Sequence, residues 1–182
     1  MSTKKRGRNE PGERSWLQPG APIFFSIKSL EHGFLSNMHP VELEVDGRRF
    51  GSSEHFFQWR KMASVGNAAQ ADRIESEPCP KRCKRLGGKR GGALAAMTEE
   101  QCKEWDARRL DVMREALRAK FAVGSPLHAR LLETGDRALV ERLPMFGDPF
   151  WGVTGKDAVG CNWLGVLLME LRGSTGGAAW VQ

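Results

Sequence analysis

The sequence predicts an α+β domain dominated by helices, with a small sheet near its start, and three stretches carry that expectation. VELEVDGRRF at 41–50 alternates Val41, Leu43 and Val45 with Glu42 and Glu44 ahead of an Asp46-Gly47 turn, the pattern of a β-hairpin. Leu110, Met113, Leu117 and Phe121 recur at helical steps, with Arg108, Arg109, Arg114 and Arg118 mostly off that stripe. CNWLGVLLMELRG at 161–173 sets Leu164, Leu167, Leu168 and Leu171 on one broad apolar face, with Gly173 as its expected stop.

The remaining elements follow in chain order. Residues 1–21 are polar and basic and broken by Pro11, Gly12, Pro19 and Gly20, which predicts a flexible arm. The domain is expected over 22–173, with 174–182 as a loose tail. PIFFSI at 22–27 suits a short strand, so the minor sheet is assigned to the N-terminal third. Helical signals begin with 53–64 and resume at Thr98, which has capping-box spacing to Gln101. A further helix is expected from Pro126 to Glu133, stopped by Gly135.

Composition narrows the function classes. A 182-residue chain with 40% hydrophobic residues can bury a core, and no apolar run is long enough to span a bilayer. No apolar region follows the basic residues of the first fourteen positions, so a soluble protein with a cytoplasmic address is expected. Cys79, Cys83, Cys102 and Cys161 are then expected as reduced thiols, and Cys79-x3-Cys83 has no second pair to complete a zinc site. The net charge of +6 is concentrated at Lys4, Lys5, Arg6 and Arg8 and again at Lys81, Arg82, Lys84, Arg85, Lys89 and Arg90. Such clusters attract phosphate, or are simply solvated surface.

The stretch SSEHFFQWRK at 52–61 carries the chemistry. In a helix Glu54, Gln58 and Lys61 fall at i, i+4 and i+7 on one stripe, among bulky aromatics, and His55 turns away from it. A stripe of that kind faces water or a substrate. With it belong Ser36 and Asn37 in GFLSNM, Trp105 in EWDARRLDVM, and Asp148, Trp151, Gly160 and Asn162 in GDPFWG and GCNWLG.

In order and spacing these fragments resemble the NADAR (YbiA-like) superfamily over about residues 24–172. Leu35-Ser36-Asn37 is similar to its L-S-N loop, and Ser53-Glu54-His55-Phe57-Gln58-Lys61 to its S-x-E-H-x-F-Q-x-x-K helix. Trp105, Met113 and Lys120-Phe121 fit its next helix, and Leu131-Leu132 with Thr134-Gly135 its L-L-x-T-G segment. Asp148, Trp151-Gly152, Gly160, Asn162 and Leu164-Gly165 fit the D-x-x-W-G and G-x-N-x-L-G ending. Two positions depart from the pattern: Leu86-Gly87-Gly88 stands where leucine-glycine-arginine is usual, and Cys102-Lys103-Glu104-Trp105 where arginine-x-aspartate-tryptophan is usual.

The resemblance implies a hydrolase of an N-glycosidic bond between ribose and a base or amine. The activities it implies are removal of ADP-ribose from guanine bases in nucleic acid and cleavage of phosphorylated riboflavin-biosynthesis intermediates. A non-catalytic module that binds ADP-ribose or nucleic-acid phosphate is the rival of another class. Cleavage of a ribosyl C–N bond puts positive charge on the anomeric carbon and ring oxygen, which a carboxylate stabilises. Glu54 and Asp148 are the candidate carboxylates, and Lys61 is a phosphate clamp or an amine nucleophile. Ser36, Asn37, Gln58, Trp105, Trp151, Gly160 and Asn162 are expected to contact substrate, through amides, hydroxyl and aromatic faces. Water is the co-substrate, and the chemistry calls for no metal or redox cofactor.

Overall fold

The computed structural model describes residues 20–88 and 97–174. The basic residues of the N-terminal arm, Lys89, Arg90 and the C-terminal tail lie outside the described residues. Helices dominate, as expected, and the chain divides into two compact units, one of residues 37–130 and one formed by the segments on either side. Among the described residues no helix is long and apolar enough to cross a membrane.

In the 37–130 unit the predicted hairpin is present as β2 (Leu43–Val45) and β3 (Arg48–Phe50), antiparallel, with Leu43 opposite Phe50 and Val45 opposite Arg48. Asp46 and Gly47 between them have φ of 52° and 73°, the doubly left-handed turn that matches strand twist. Helix α1 (Ser53–Ser64) starts where Ser52 accepts a hydrogen bond from the His55 amide. The sequence reading leaves 65–97 without elements, but two short helices lie there, α2 (Ala68–Glu75) and α3 (Pro80–Leu86). Each buries too few apolar side chains to show a helical period: Ala71 and Ile74 in α2, Cys83 in α3. Their signals are local instead, the Asn67 cap on the Gln70 amide and Pro80 at the first turn. Helix α4 (Glu99–Lys120) opens with the predicted capping box, Thr98 and Gln101 bonding each other's backbone amides. Gln101 also donates to the Val65 carbonyl, 2.9 Å away at the end of α1.

Phe50 anchors the core of this unit. Its ring meets His55, Phe56 and Trp59 at centroid distances of 5.4, 5.2 and 5.2 Å, and the Arg48 guanidinium lies 5.1 Å over Trp59. The first three helices interlock through polar groups. His55 Nε2 lies 2.7 Å from the Ile74 carbonyl, to which it donates, while Nδ1 accepts from the Gly51 amide. The Cys83 thiol donates to the Glu77 carbonyl, and burial first, then the nearby Glu77 charge, pushes it up to about 12. Cys83 is therefore a protonated core residue. Helix α5 (Pro126–Leu132) carries the chain across the boundary between the units, and Gly135 with φ of 55° follows it as expected.

The flanking unit holds β1 (Ile23–Phe25), β4 (Leu139–Glu141), a short 3-10 turn at Gly33–Leu35 and α6 (Trp163–Ser174), which runs one residue past Gly173. The sheet expectation needs correction here. PIFFSI does form a strand, but β1 pairs in parallel with β4 from the far end of the chain, Ile23 opposite Leu139 and Phe25 opposite Glu141, apart from the hairpin. Such a parallel pair needs a long connection, and nothing local announces its partner.

Leu164, Leu167, Leu168 and Leu171 of α6 are buried as predicted. Gly165 lets that helix approach β4, because a Cβ there would overlap the Leu139 carbonyl and the Asn162 amide. Asn162, at φ of 54°, turns its side chain onto β4: Oδ1 accepts from the Glu141 amide at 3.0 Å and Nδ2 donates to the Leu139 carbonyl at 2.8 Å. Both ends of this side-chain amide are thus used on the strand, a structural role separate from the substrate contact expected of the Asn162 backbone amide.

Asn162→Ala leaves the Glu141 amide and Leu139 carbonyl without these partners and is expected to cost about 2–4 kcal/mol in urea unfolding. A cost below ~0.5 kcal/mol contradicts the assignment. His55 gives a pH prediction. Burial, only partly offset by its bond to Ile74, holds it below the ordinary histidine value of 6.5. The unfolded chain therefore takes up this proton first as pH falls below about 6.5, so the contribution is full at higher pH and is lost on acidification. His55→Gln is expected to lose less stability than the parent between pH 7.5 and 5.5, measured as the midpoint of denaturant unfolding at each pH.

Candidate active site

Helix α1 presents the expected polar stripe, and that stripe is buried. Glu54, Gln58 and Lys61 are 6%, 5% and 4% exposed. Solvation is therefore excluded as the reason for their register. Glu54 lies in the first turn of α1, where the helix N-terminus favours a negative side chain, and its amide donates to the Asn37 carbonyl at 3.0 Å. Gln58 Nε2 donates to Glu54 Oε1 at 2.8 Å, the i to i+4 geometry of one helix face.

One turn further along, the Lys61 ammonium sits 5.8 Å from the centroid of the Trp105 ring on α4. Phe57 meets Trp105 edge to face at 5.0 Å. Trp105, whose flat face is expected to meet substrate, is 6% exposed and has the Lys61 ammonium over its ring. Asn37 closes the other end. Its Nδ2 lies 3.2 Å from the Met113 sulfur, and its Oδ1 is buried.

Asn37 Oδ1, Ser53 Oγ and Gln58 Oε1 are buried atoms without a hydrogen-bond partner among the described residues. All three belong to Glu54's immediate surroundings: Ser53 precedes it, Asn37 receives its amide, and Gln58 bonds its carboxylate. Unsatisfied polar groups cost stability, and their concentration around one carboxylate is a mark of a functional site. Elsewhere in the unit, burial first and then the Lys120 and Arg130 charges hold His39 below its usual value.

The other expected residues belong to the flanking unit. The Ser36 amide closes the turn at Gly33–Leu35 by donating to the Gly33 carbonyl, and Ser36 is buried. Asp148 is exposed, and its Oδ1 accepts from the Phe150 amide in a two-residue turn. Trp151 is half-buried and meets Phe150 edge to face at 4.9 Å. Gly160 has φ of 151°, and a Cβ there would overlap the Gly152 carbonyl, so its glycine is needed by the turn itself.

The two departures from the family pattern have different settings. A side chain at Gly88 would bring its Cβ to 2.7 Å from the Lys84 carbonyl, so an arginine is incompatible with this backbone. At the other departure, Lys103 and Glu104 are exposed, and Lys103 is paired with Glu99 at 2.8 Å. Gly87, which falls on the glycine of the family's leucine-glycine-arginine segment, has no role assigned by the sequence reading; it packs against Gln58, a tertiary contact that local pattern does not show.

Comparison with known proteins gives the family of the chain. The model of the NADAR domain matches residues 23–174. The chain is 37% identical over 150 residues to the N-glycosidase YbiA of Shigella boydii, covering 82% of this chain and 86% of that protein. It is 35% identical over 160 residues to a riboflavin biosynthesis protein of Vibrio vulnificus, covering 83% of this chain but only 38% of that longer protein. Among solved structures, the NMR structure of Escherichia coli YbiA superposes with a TM-score of 0.70 at 32% identity, over 90% of each chain. With the family model covering most of the chain and relatives of this identity along nearly their whole length, the chain belongs to the NADAR domain family.

Proposed function

We propose that this chain hydrolyses the bond between ADP-ribose and guanine in modified nucleic acid, with α1 supplying the reacting groups. The enzyme class is that of its full-length relatives, an N-glycosidase. The observation that carries the site is the buried Glu54–Gln58–Lys61 stripe, a carboxylate and an amine withdrawn from water on one helix face. Glu54 stabilises the positive charge that grows on the ribose as the C–N bond lengthens, with Gln58 fixing the carboxylate's direction.

Lys61 acts as the amine. After the sugar ring opens, its nitrogen adds to the anomeric carbon, the guanine nitrogen leaves with a proton, and water hydrolyses the lysine imine to the free sugar. Burial gives the amine the desolvated surroundings that such an attack needs, against the pull of the Trp105 face toward the charged form. Asp148 is the other candidate carboxylate that the resemblance offers. The net charge of +6 favours a phosphate-bearing, polymeric substrate. A second reading, cleavage of a phosphorylated riboflavin-biosynthesis intermediate, is favoured by the name of the Vibrio relative.

The test incubates the purified chain with an ADP-ribosylated guanine oligonucleotide and, separately, with the riboflavin-type intermediate, and identifies released base and sugar by mass. Release of guanine-containing oligonucleotide and free ADP-ribose is expected, and turnover of the intermediate alone replaces the first reading by the second. Borohydride added during turnover is expected to leave a stable sugar adduct on Lys61. Lys61→Arg, which keeps the cation but cannot form an imine, is expected to lose activity ~100-fold or more. No adduct together with near-parent activity of Lys61→Arg makes the lysine a phosphate clamp.

A further inference from the structure

We infer that Gly87 is a positioning residue for the reaction, acting through Gln58 on Glu54. The inference rests on the reading of Glu54 as the reacting carboxylate. Gly87 ends α3 with φ of −91° and ψ of −1°, a conformation open to any residue, so backbone freedom does not call for glycine. Space does. A Cβ at 87 would overlap Gln58 Oε1 and come within 3.0 Å of Cδ and 3.2 Å of Cβ of the same side chain. Only a hydrogen fits between the α3 terminus and Gln58.

The orientation of Gln58 explains why this contact reaches the chemistry. Its amide donates through Nε2 to Glu54, since a carboxylate can only accept from it, and Oε1 is therefore turned away, toward Gly87. Oε1 is buried and has no conventional donor among the described residues. The glycine hydrogen that takes the place of Cβ points at it, a weak C–H···O contact. Gln58 is thus held between a carboxylate on one side and a glycine on the other.

Gly87 cannot retreat easily when crowded. Its amide donates to the Cys83 carbonyl at 3.0 Å, and the carbonyl of Leu86 just before it accepts from Gln70 Nε2 of α2 at 2.9 Å. Cys83 is itself tied to the Glu77 carbonyl at 3.2 Å. With α3 fixed at these points, an added methyl displaces the Gln58 amide, and Glu54 loses its hydrogen-bond donor.

The experiment is a double-mutant cycle on the full chain with Gly87→Ala, Gln58→Ala and both together. Gly87→Ala is expected to lower kcat by roughly 10- to 100-fold, the loss that goes with misplacing a reacting group by about 1 Å. In the Gln58→Ala background the same change is expected to alter kcat by less than about 2-fold, because the group it crowds is gone. Parent-like kcat in Gly87→Ala, or equal losses in both backgrounds, overturns the inference.

A second readout needs no substrate. The side-chain amide resonances of Gln58, assigned by their disappearance in Gln58→Ala, are expected to move in Gly87→Ala; an unmoved pair overturns the inference. Absence of any N-glycoside turnover by the parent would sink the functional reading instead, and the resonance measurement alone then decides whether Gly87 positions Gln58. Should Gly87→Ala fail to fold, the double variant takes its place. Folding of the double with the kcat of Gln58→Ala supports the inference, and its failure to fold overturns it.

Discussion

The hydrogen bond from Gln58 to Glu54 is the interaction on which the site depends, because it fixes the direction of a buried carboxylate at the start of α1. Withdrawing a carboxylate from water costs several kcal/mol even after relaxation. A hydrogen bond to a charged group returns about 1.5–3 kcal/mol, and a helix N-terminus about 0.3–2 kcal/mol. These work against that cost, and beside Glu54 lie buried oxygens of Asn37, Ser53 and Gln58 that have no hydrogen-bond partner among the described residues. The rest of the unit, packed on Phe50 and tied through Ile74, holds α1 where the polar groups cannot escape to solvent. Stability given up around one carboxylate is what an enzyme site looks like before substrate arrives.

Much of this was legible because it is local. The hairpin was written in alternation and an Asp46-Gly47 turn, α1 in its Ser52 cap and aromatic spacing, and α4 in the pair Thr98 and Gln101. The stripe of Glu54, Gln58 and Lys61 could be placed on one helix face by counting, and resemblance gave it a chemistry. Whether the face was wet or dry could not be counted, since burial is decided by what packs on it: Trp105 from α4 and Gly87 at the end of α3.

What stayed illegible is tertiary. The β1–β4 pairing joins segments with the whole 37–130 unit between them, and three-residue strands carry too little pattern to call for a partner. Asn162 stands in a motif that resembles a family ending, and nothing local foretells that its side chain bonds the backbone of Glu141 and Leu139 on β4. Asp148 is a candidate carboxylate by resemblance, and the bond its Oδ1 accepts from the Phe150 amide gives it a turn role that a short side chain before a proline also suits. Helices α2 and α3 were too short for periodicity, yet they supply the carbonyl for His55 and the glycine for Gln58.

The central claim is that the charge of Glu54 carries the chemical step. Glu54→Gln keeps the side chain's shape and its place on α1 while removing the charge, and single-turnover cleavage of the bound N-glycoside isolates chemistry from binding and release. The account predicts a rate lower by ~100-fold or more with substrate affinity within a few-fold of the parent. A single-turnover rate equal to that of the parent would contradict it.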